Sequence, residues 1–279
     1  MNSADKFTDI RRILIALDAS PASQAALDLA ADLALRYQAE LIGIYVEDIN
    51  LVRSAEIPFT EEVGTYSASS RQIDSTHIDR ELKAHARRVE QLLSSIARRA
   101  NLRWSFRSSR GQISDELMAA ASDSDLIILG KTGWSGRKHI GSTARKVALQ
   151  SPIQSLILMH KVRPGTPVMV LYDGSPASKN ALATARTIIK PESTLTVLIN
   201  TESQDSAEHL QKEVQDSFRN DELMIKFRWV ADIQGDRISQ LALISNCDVV
   251  VLPARSEQFD PETLVAMLDR ADCAVLLVR

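Results

Sequence analysis

Residues 13–27 read ILIALDASPASQAAL and residues 168–182 read VMVLYDGSPASKNAL. Each is an apolar run, then Asp, one small residue, Ser-Pro-Ala-Ser and a helical pattern. Two further matches follow in the same order: Asp125 to Leu129 against Asp248 to Leu252, and Ser155 to Leu158 against Ala274 to Leu277. Three matches in one order identify a tandem duplication, and a duplication restricts the fold to two copies of one plan. The seam is Lys161-Val-Arg-Pro-Gly-Thr-Pro167, whose two prolines and glycine make a short stiff linker. The expected domains are 1–163 and 164–279, both of ordinary domain size.

Inside each copy, apolar runs alternate with helical periodicity. Residues 12–17 are almost entirely apolar, as a parallel strand buried on both faces requires. Ser20 then caps a helix and Pro21 takes its first position, where a missing N–H costs nothing. The remaining strands of the first copy are read at 41–46, 102–107, 126–129 and 153–159, with helices at about 71–100, 112–122 and 142–150. The second copy repeats this with strands at 168–172, 195–199, 224–230, 249–252 and 274–278. Such alternation predicts an α/β protein of two tandem doubly wound domains, each a five-stranded parallel sheet with helices on both faces. The stretch from Asp48 to about Ser75 has no counterpart in the second copy. It is read as a surface excursion, with a lid over the site as the functional alternative.

In a doubly wound sheet, ligands collect beyond the carboxyl ends of the strands where the strand order reverses. With the order 3-2-1-4-5, the residues ending the two strands at that point are Asp18 and Gly130. Gly130, Gly133, Gly136 and Gly141 place four of the chain's ten glycines in twelve positions, and a helix pattern follows at once. Glycines let a backbone approach an anion closely, and a helix start presents unpaired N–H groups to it. Lys131, Arg137, Lys138 and Arg145 add positive charge, so the segment reads as a phosphate cradle. It is not a Walker A loop, because Asp125 stands where the first glycine is needed. Nor is it a dinucleotide fingerprint, since that motif should follow strand one, where Ala16-Leu-Asp-Ala-Ser20 stands.

Other chemistry finds little support. A net charge of −3 gives no general attraction to nucleic acid or anionic membrane, and aromatics are only 5% of the chain. No apolar run approaches the roughly 20 residues that span a bilayer. The five histidines, His77, His85, His139, His160 and His209, lack metal-ligand spacing. Cys247 and Cys273 are too few for a disulfide scaffold and read as core thiols of a cytoplasmic protein. The arginines between Arg80 and Arg103 are interrupted by Glu81 and Glu90 and read as a solvated helix face. No catalytic centre is recognisable.

With these residues in view, the chain resembles the universal stress protein family in its tandem two-domain form. The nucleotide-binding branch of that family carries G-x2-G-x9-G-[ST] after strand four. Gly130-x2-Gly133 and Gly141-Ser142 match its two ends, with seven residues between Gly133 and Gly141, two fewer than the pattern. The resemblance implies ATP or another adenine nucleotide as ligand, with or without Mg²⁺. It implies adenine contacts at Leu17, Asp18 and the backbone of Val46, a ribose contact at Gly130, and phosphate contacts at Gly133, Gly141, Ser142 and Thr143. Lys131 replaces the small hydroxyl residue common in the family and is read either as a phosphate ligand or as a solvated side chain. The second copy keeps Asp173-Gly-Ser175 but ends strand four in Leu252-Pro-Ala-Arg-Ser256, with no later glycine. One nucleotide site per chain at most is therefore expected, with Asp173 a structural turn residue.

The resemblance further implies that the two domains pair as a pseudo-dimer across their fifth strands, which covers two apolar edges. A homodimer and an unidentified protein partner are left open. The leading functional reading is a cytoplasmic stress-response protein for which the nucleotide is a signal. The alternatives are a nucleotide-free interaction scaffold with a vestigial loop, and a slow ATPase whose turnover would vanish with Asp18→Ala.

Overall fold

A computed structural model describes residues 10–57, 61–63, 70–72, 75–131, 140–158, 167–190, 193–219, 221–231, 233, 235–254 and 260–279. In the first copy, strands β1 (Arg12–Ala16), β2 (Glu40–Asp48), β5 (Trp104–Gly111), β6 (Leu126–Gly130) and β7 (Gln154–Leu158) alternate with helices α1 (Pro21–Tyr37), α3 (Ser75–Arg99), α4 (Ile113–Ala121) and α5 (Ser142–Gln150). The second copy contains β8 (Val168–Tyr172), α6 (Pro176–Ile188), β9 (Thr194–Asn200), α7 (Gln204–Ser217), β10 (Met224–Val230), α8 (Gly235–Ile244), β11 (Val249–Pro253), α9 (Pro261–Arg270) and β12 (Ala274–Val278). The strands lie in the order β10-β9-β8-β11-β12-β7-β6-β1-β2-β5. Within each copy the pairings are parallel and the order is 3-2-1-4-5 in that copy's own count.

The excursion has internal structure that its polar sequence did not announce. Helix α2 (Ile49–Glu56) and a small antiparallel pair, β3 (Glu61–Val63) with β4 (Ser70–Gln72), precede α3, which starts at Ser75 rather than near residue 71. Val52 of α2 packs against Ile78 and Leu82 of α3, a satellite cluster that anchors the excursion to the domain. Among the described residues three buried apolar side chains carry it, so little hydrophobic periodicity was available to signal a helix.

Strand residues alternate between two cores, because successive side chains leave a strand on opposite faces. Ile13, Ile15 and Leu17 join α1, α3, α6 and α7 on one face. Leu14, Ile42, Ile44 and Val46 join α4, α5, α8 and α9 on the other. Helix α3 shows the sorting clearly: Ile78, Leu82, Ala86, Val89, Leu93 and Ala97 are buried at helical spacing, while Arg80, Arg87, Arg88, Arg98 and Arg99 are exposed. That exposure matches a solvated arginine face.

The repeated Asp-x-Ser-Pro-x-Ser motif is a strand-to-helix turn built the same way twice. The Asp18 carboxylate accepts from Ser20 N–H at 2.9 Å, and Ser20 Oγ accepts from Ser23 N–H at 3.2 Å. Asp173, Ser175 and Ser178 repeat both bonds at 2.9 and 3.2 Å. The residue inside each turn is left-handed, Ala19 at φ 60° and Gly174 at φ 80°. Of the seam at 161–167, residues 161–166 fall outside the described residues.

The copies join through their fifth strands. β7 and β12 pair antiparallel, Leu156 opposite Leu276, which makes one ten-stranded sheet. Side chains reinforce the seam: Tyr37 Oη donates to Thr187 Oγ1 at 2.9 Å, and Arg36 donates to the carbonyls of Thr187 and Ile188. Arg279 donates to the carbonyls of Val147 and Ala148 in the last turns of α5. Cations at helix C-termini satisfy carbonyls that have no partner within the helix.

Candidate functional site

At the point where the strand order reverses, β1 and β6 diverge from a shared ladder and leave a cleft of about 370 Å³. Its floor is Ala16, Leu17 and Asp18 at the end of β1, with Leu129 and Gly130 at the end of β6. Ile44 and Val46 of β2 line one side, Ile113 and Leu117 of α4 give an apolar wall, and Gly141 to Ala144 at the start of α5 close the far end. Of the nine residues implied by the resemblance, Leu17, Asp18, Val46, Gly130, Lys131, Gly141, Ser142 and Thr143 all border this space. Gly133 lies outside the described residues, as do Gly136, Arg137, Lys138 and His139.

The apolar end of the cleft offers backbone groups. The β1–β2 ladder ends where Leu17 N–H donates to the Ile44 carbonyl at 2.9 Å. Residues two apart on a strand aim their N–H and C=O to the same side. Val46 therefore presents its backbone toward β1 just where β1 has turned away. Asp18 is half-buried, and one carboxylate oxygen already holds the turn to α1. Its role is thus partly structural, as in Asp173.

The polar end is the start of α5. Gly141 is its N-cap and, having no side chain, makes no capping bond. Its backbone, at φ −65° and ψ 152°, is one that any residue adopts. A Cβ added there would meet nothing nearer than Lys131 O at 3.5 Å. The fold does not require a glycine at 141. Its lack of a side chain leaves the start of α5 open to the cleft, where an anion would meet N–H donors and the positive end of the helix dipole.

Lys131 does neither of the two things expected of it. It is 2% exposed, and its ammonium donates to the carbonyls of Asp269, at 2.6 Å, and Ala271, at 3.2 Å, at the C-terminal end of α9. Desolvation lowers its pKa, partly offset by Asp269 and Asp272.

The model of the universal stress protein family matches residues 9–158, more than half of the chain. The chain belongs to the universal stress protein family. A universal stress protein from Archaeoglobus fulgidus DSM 4304 has a similar structure, with TM-score 0.73 at 16% identity, covering 98% of this chain and 97% of that one. A functionally unknown protein from Pseudomonas aeruginosa PAO1 has TM-score 0.58 at 16% identity, covering 98% and 94%. The cytoplasmic domain of a prokaryotic cation chloride cotransporter has TM-score 0.52 at 8% identity, covering 96% and 95%. The comparison with curated proteins found no match. These likenesses extend over both copies, so the tandem form of the universal stress protein fold is shared. The cotransporter domain illustrates that a fold is not a function.

Within this universal stress protein the sequence left part of the site unseen. Ser20, Ser23, Ile44, Ile113, Leu117 and Ala144 also line the cleft. Ile113 and Leu117 stand four apart on α4, so their common face was readable, but not what it faced. None of the described residues of 49–75 lines the cleft. Asp269, which the glycine segment contacts, belongs to the other copy, and no motif signals it.

Proposed function

We propose that this universal stress protein binds ATP or a related adenine nucleotide in the cleft of its first copy, as a regulatory ligand of a cytoplasmic stress response. One observation carries the reading: a glycine that the fold does not need sits at the uncapped start of α5, facing a cleft lined by the adenine- and ribose-type positions. A volume of about 370 Å³ suits a nucleotide-sized ligand. The purine would lie between Leu17, Val46 and the α4 wall, with its amine toward Asp18 and backbone groups of β2. The phosphates would take the N–H groups of residues 142 and 143 and the Ser142 and Thr143 hydroxyls.

Among the described residues no three His, Cys, Asp or Glu side chains are grouped to hold a metal ion. Any Mg²⁺ would therefore be held chiefly by the phosphates of the nucleotide. No helix of the described residues is long and apolar enough to cross a membrane.

Gly141→Asp separates fold from function. Asp is a strong N-cap and complements the helix dipole, so stability should hold or rise by up to about 1 kcal/mol. The same carboxylate occupies the N–H groups and repels phosphate. Losing about 1.5–3 kcal/mol of charge-assisted hydrogen bonding weakens ATP about ten- to a hundredfold. Thermal shift and titration calorimetry read both. A wild-type protein that neither releases adenine nucleotide on heat denaturation nor gains thermal stability from millimolar ATP would favour the nucleotide-free scaffold.

A further inference from the structure

The second copy has lost its own glycine segment, yet it grips the segment of the first. Ile140 N–H donates to the Asp269 carboxylate at 2.6 Å, and Lys131 Nζ donates to the Asp269 carbonyl at 2.6 Å. Gly141 N–H then donates to the Lys131 carbonyl at 2.9 Å, closing the ring. Residues 131 and 140 bracket the glycine segment, so one residue at the end of α9 ties both of its ends across the domain interface. Each tie involves a charged group, and such bonds are about twice as strong as neutral ones.

We infer that Asp269 is a positioning residue for phosphate binding, through which the second copy sets the affinity of the first; this rests on the nucleotide reading above. Ile140 immediately precedes the α5 N-cap. Holding its N–H fixes the direction in which the N–H groups of residues 142 and 143 enter the cleft. A phosphate rewards donors already aimed at it, because no ordering cost remains at binding. The positions assigned to the nucleoside, at the ends of β1, β2 and β6, lie outside this ring of bonds, with Gly130 next to it in sequence.

The full chain is titrated with ATP and with adenosine, in the wild type, Asp269→Ala and Asp269→Asn. The expected result is that Asp269→Ala weakens ATP about tenfold or more and leaves adenosine within about twofold. Asp269→Asn keeps an oxygen for Ile140 N–H and should recover most of the ratio. Equal weakening of both ligands, an unchanged ratio, or tighter ATP binding would overturn the inference while leaving the nucleotide reading intact. A wild type that binds neither ligand overturns the reading itself, and the inference with it. Should Asp269→Ala fail to fold, Lys131→Met cuts the other tie and is judged by the same ratio.

Discussion

Ala19 and Gly174 occupy equivalent places in the two copies and share a left-handed backbone, but only one of them suits it. An alanine there costs about 1–2 kcal/mol, part of which a glycine gives back through its freer unfolded chain. Ala19→Gly should therefore stabilise the protein by about 0.5–1 kcal/mol, raising the urea midpoint without altering the slope. Gly174→Ala should do the opposite, at about 1–2 kcal/mol, since its new Cβ also meets Leu210 Cδ2 at 2.6 Å. The comparison also bears on function. Asp18 and Asp173 make the same turn, so the presence of the aspartate alone does not mark a nucleotide site. The copies differ where their fourth strands end, in Gly130 in the first and Pro253 in the second.

At the scale of elements, the caps decide what each helix start is free to do. Helices α1, α6, α7 and α9 have side-chain caps from Ser20, Ser175, Ser203 and Asp260, whereas α5 has none. Ser175→Ala removes the bond to Ser178 N–H and should cost about 1 kcal/mol, measured by denaturant unfolding. It should leave ATP affinity unaltered, because α6 borders no part of the cleft. The strands were legible because a parallel sheet buried on both faces demands unbroken apolar runs, and Ile13 to Ile15 or Val249 to Leu252 supply them. The repeated Ser-Pro made both first helices legible as well. Helix α2 was not, since among its described residues only Val52 is buried, in a small cluster with Ile78 and Leu82. The cleft was legible where chain-local chemistry built it, in Asp18, Gly130 and Gly141. It was illegible in Lys131 and Asp269, 138 positions apart, whose meeting depends on how two copies dock.

At the scale of the whole molecule, one ten-stranded sheet buries acidic side chains that never ionise comfortably. Burial pushes the Cys273 thiol up to about 12 and the Tyr45 phenol up to about 12, and it raises Cys247, Tyr37 and Tyr172 too. For each, the folded state binds its proton more tightly than the unfolded chain does. The stabilisation is complete below the ordinary values, 9.0 for the thiols and 10.0 for the phenols, and is lost as pH rises toward the folded values. Lys131 acts in the opposite sense. Its lowered pKa means that the buried ammonium costs stability while charged, and that cost is relieved as pH approaches the ordinary 10.5. Five groups oppose one, so the melting temperature should fall steadily between about pH 9 and 12. The first part of that fall belongs to the thiols, because only they have an ordinary value near 9.0. Cys273→Ala should flatten the curve between about pH 9 and 10 and leave the later, tyrosine-driven descent in place. Melting curves of the two proteins across that range test the assignment, and parallel curves would show that Cys273 carries no part of it.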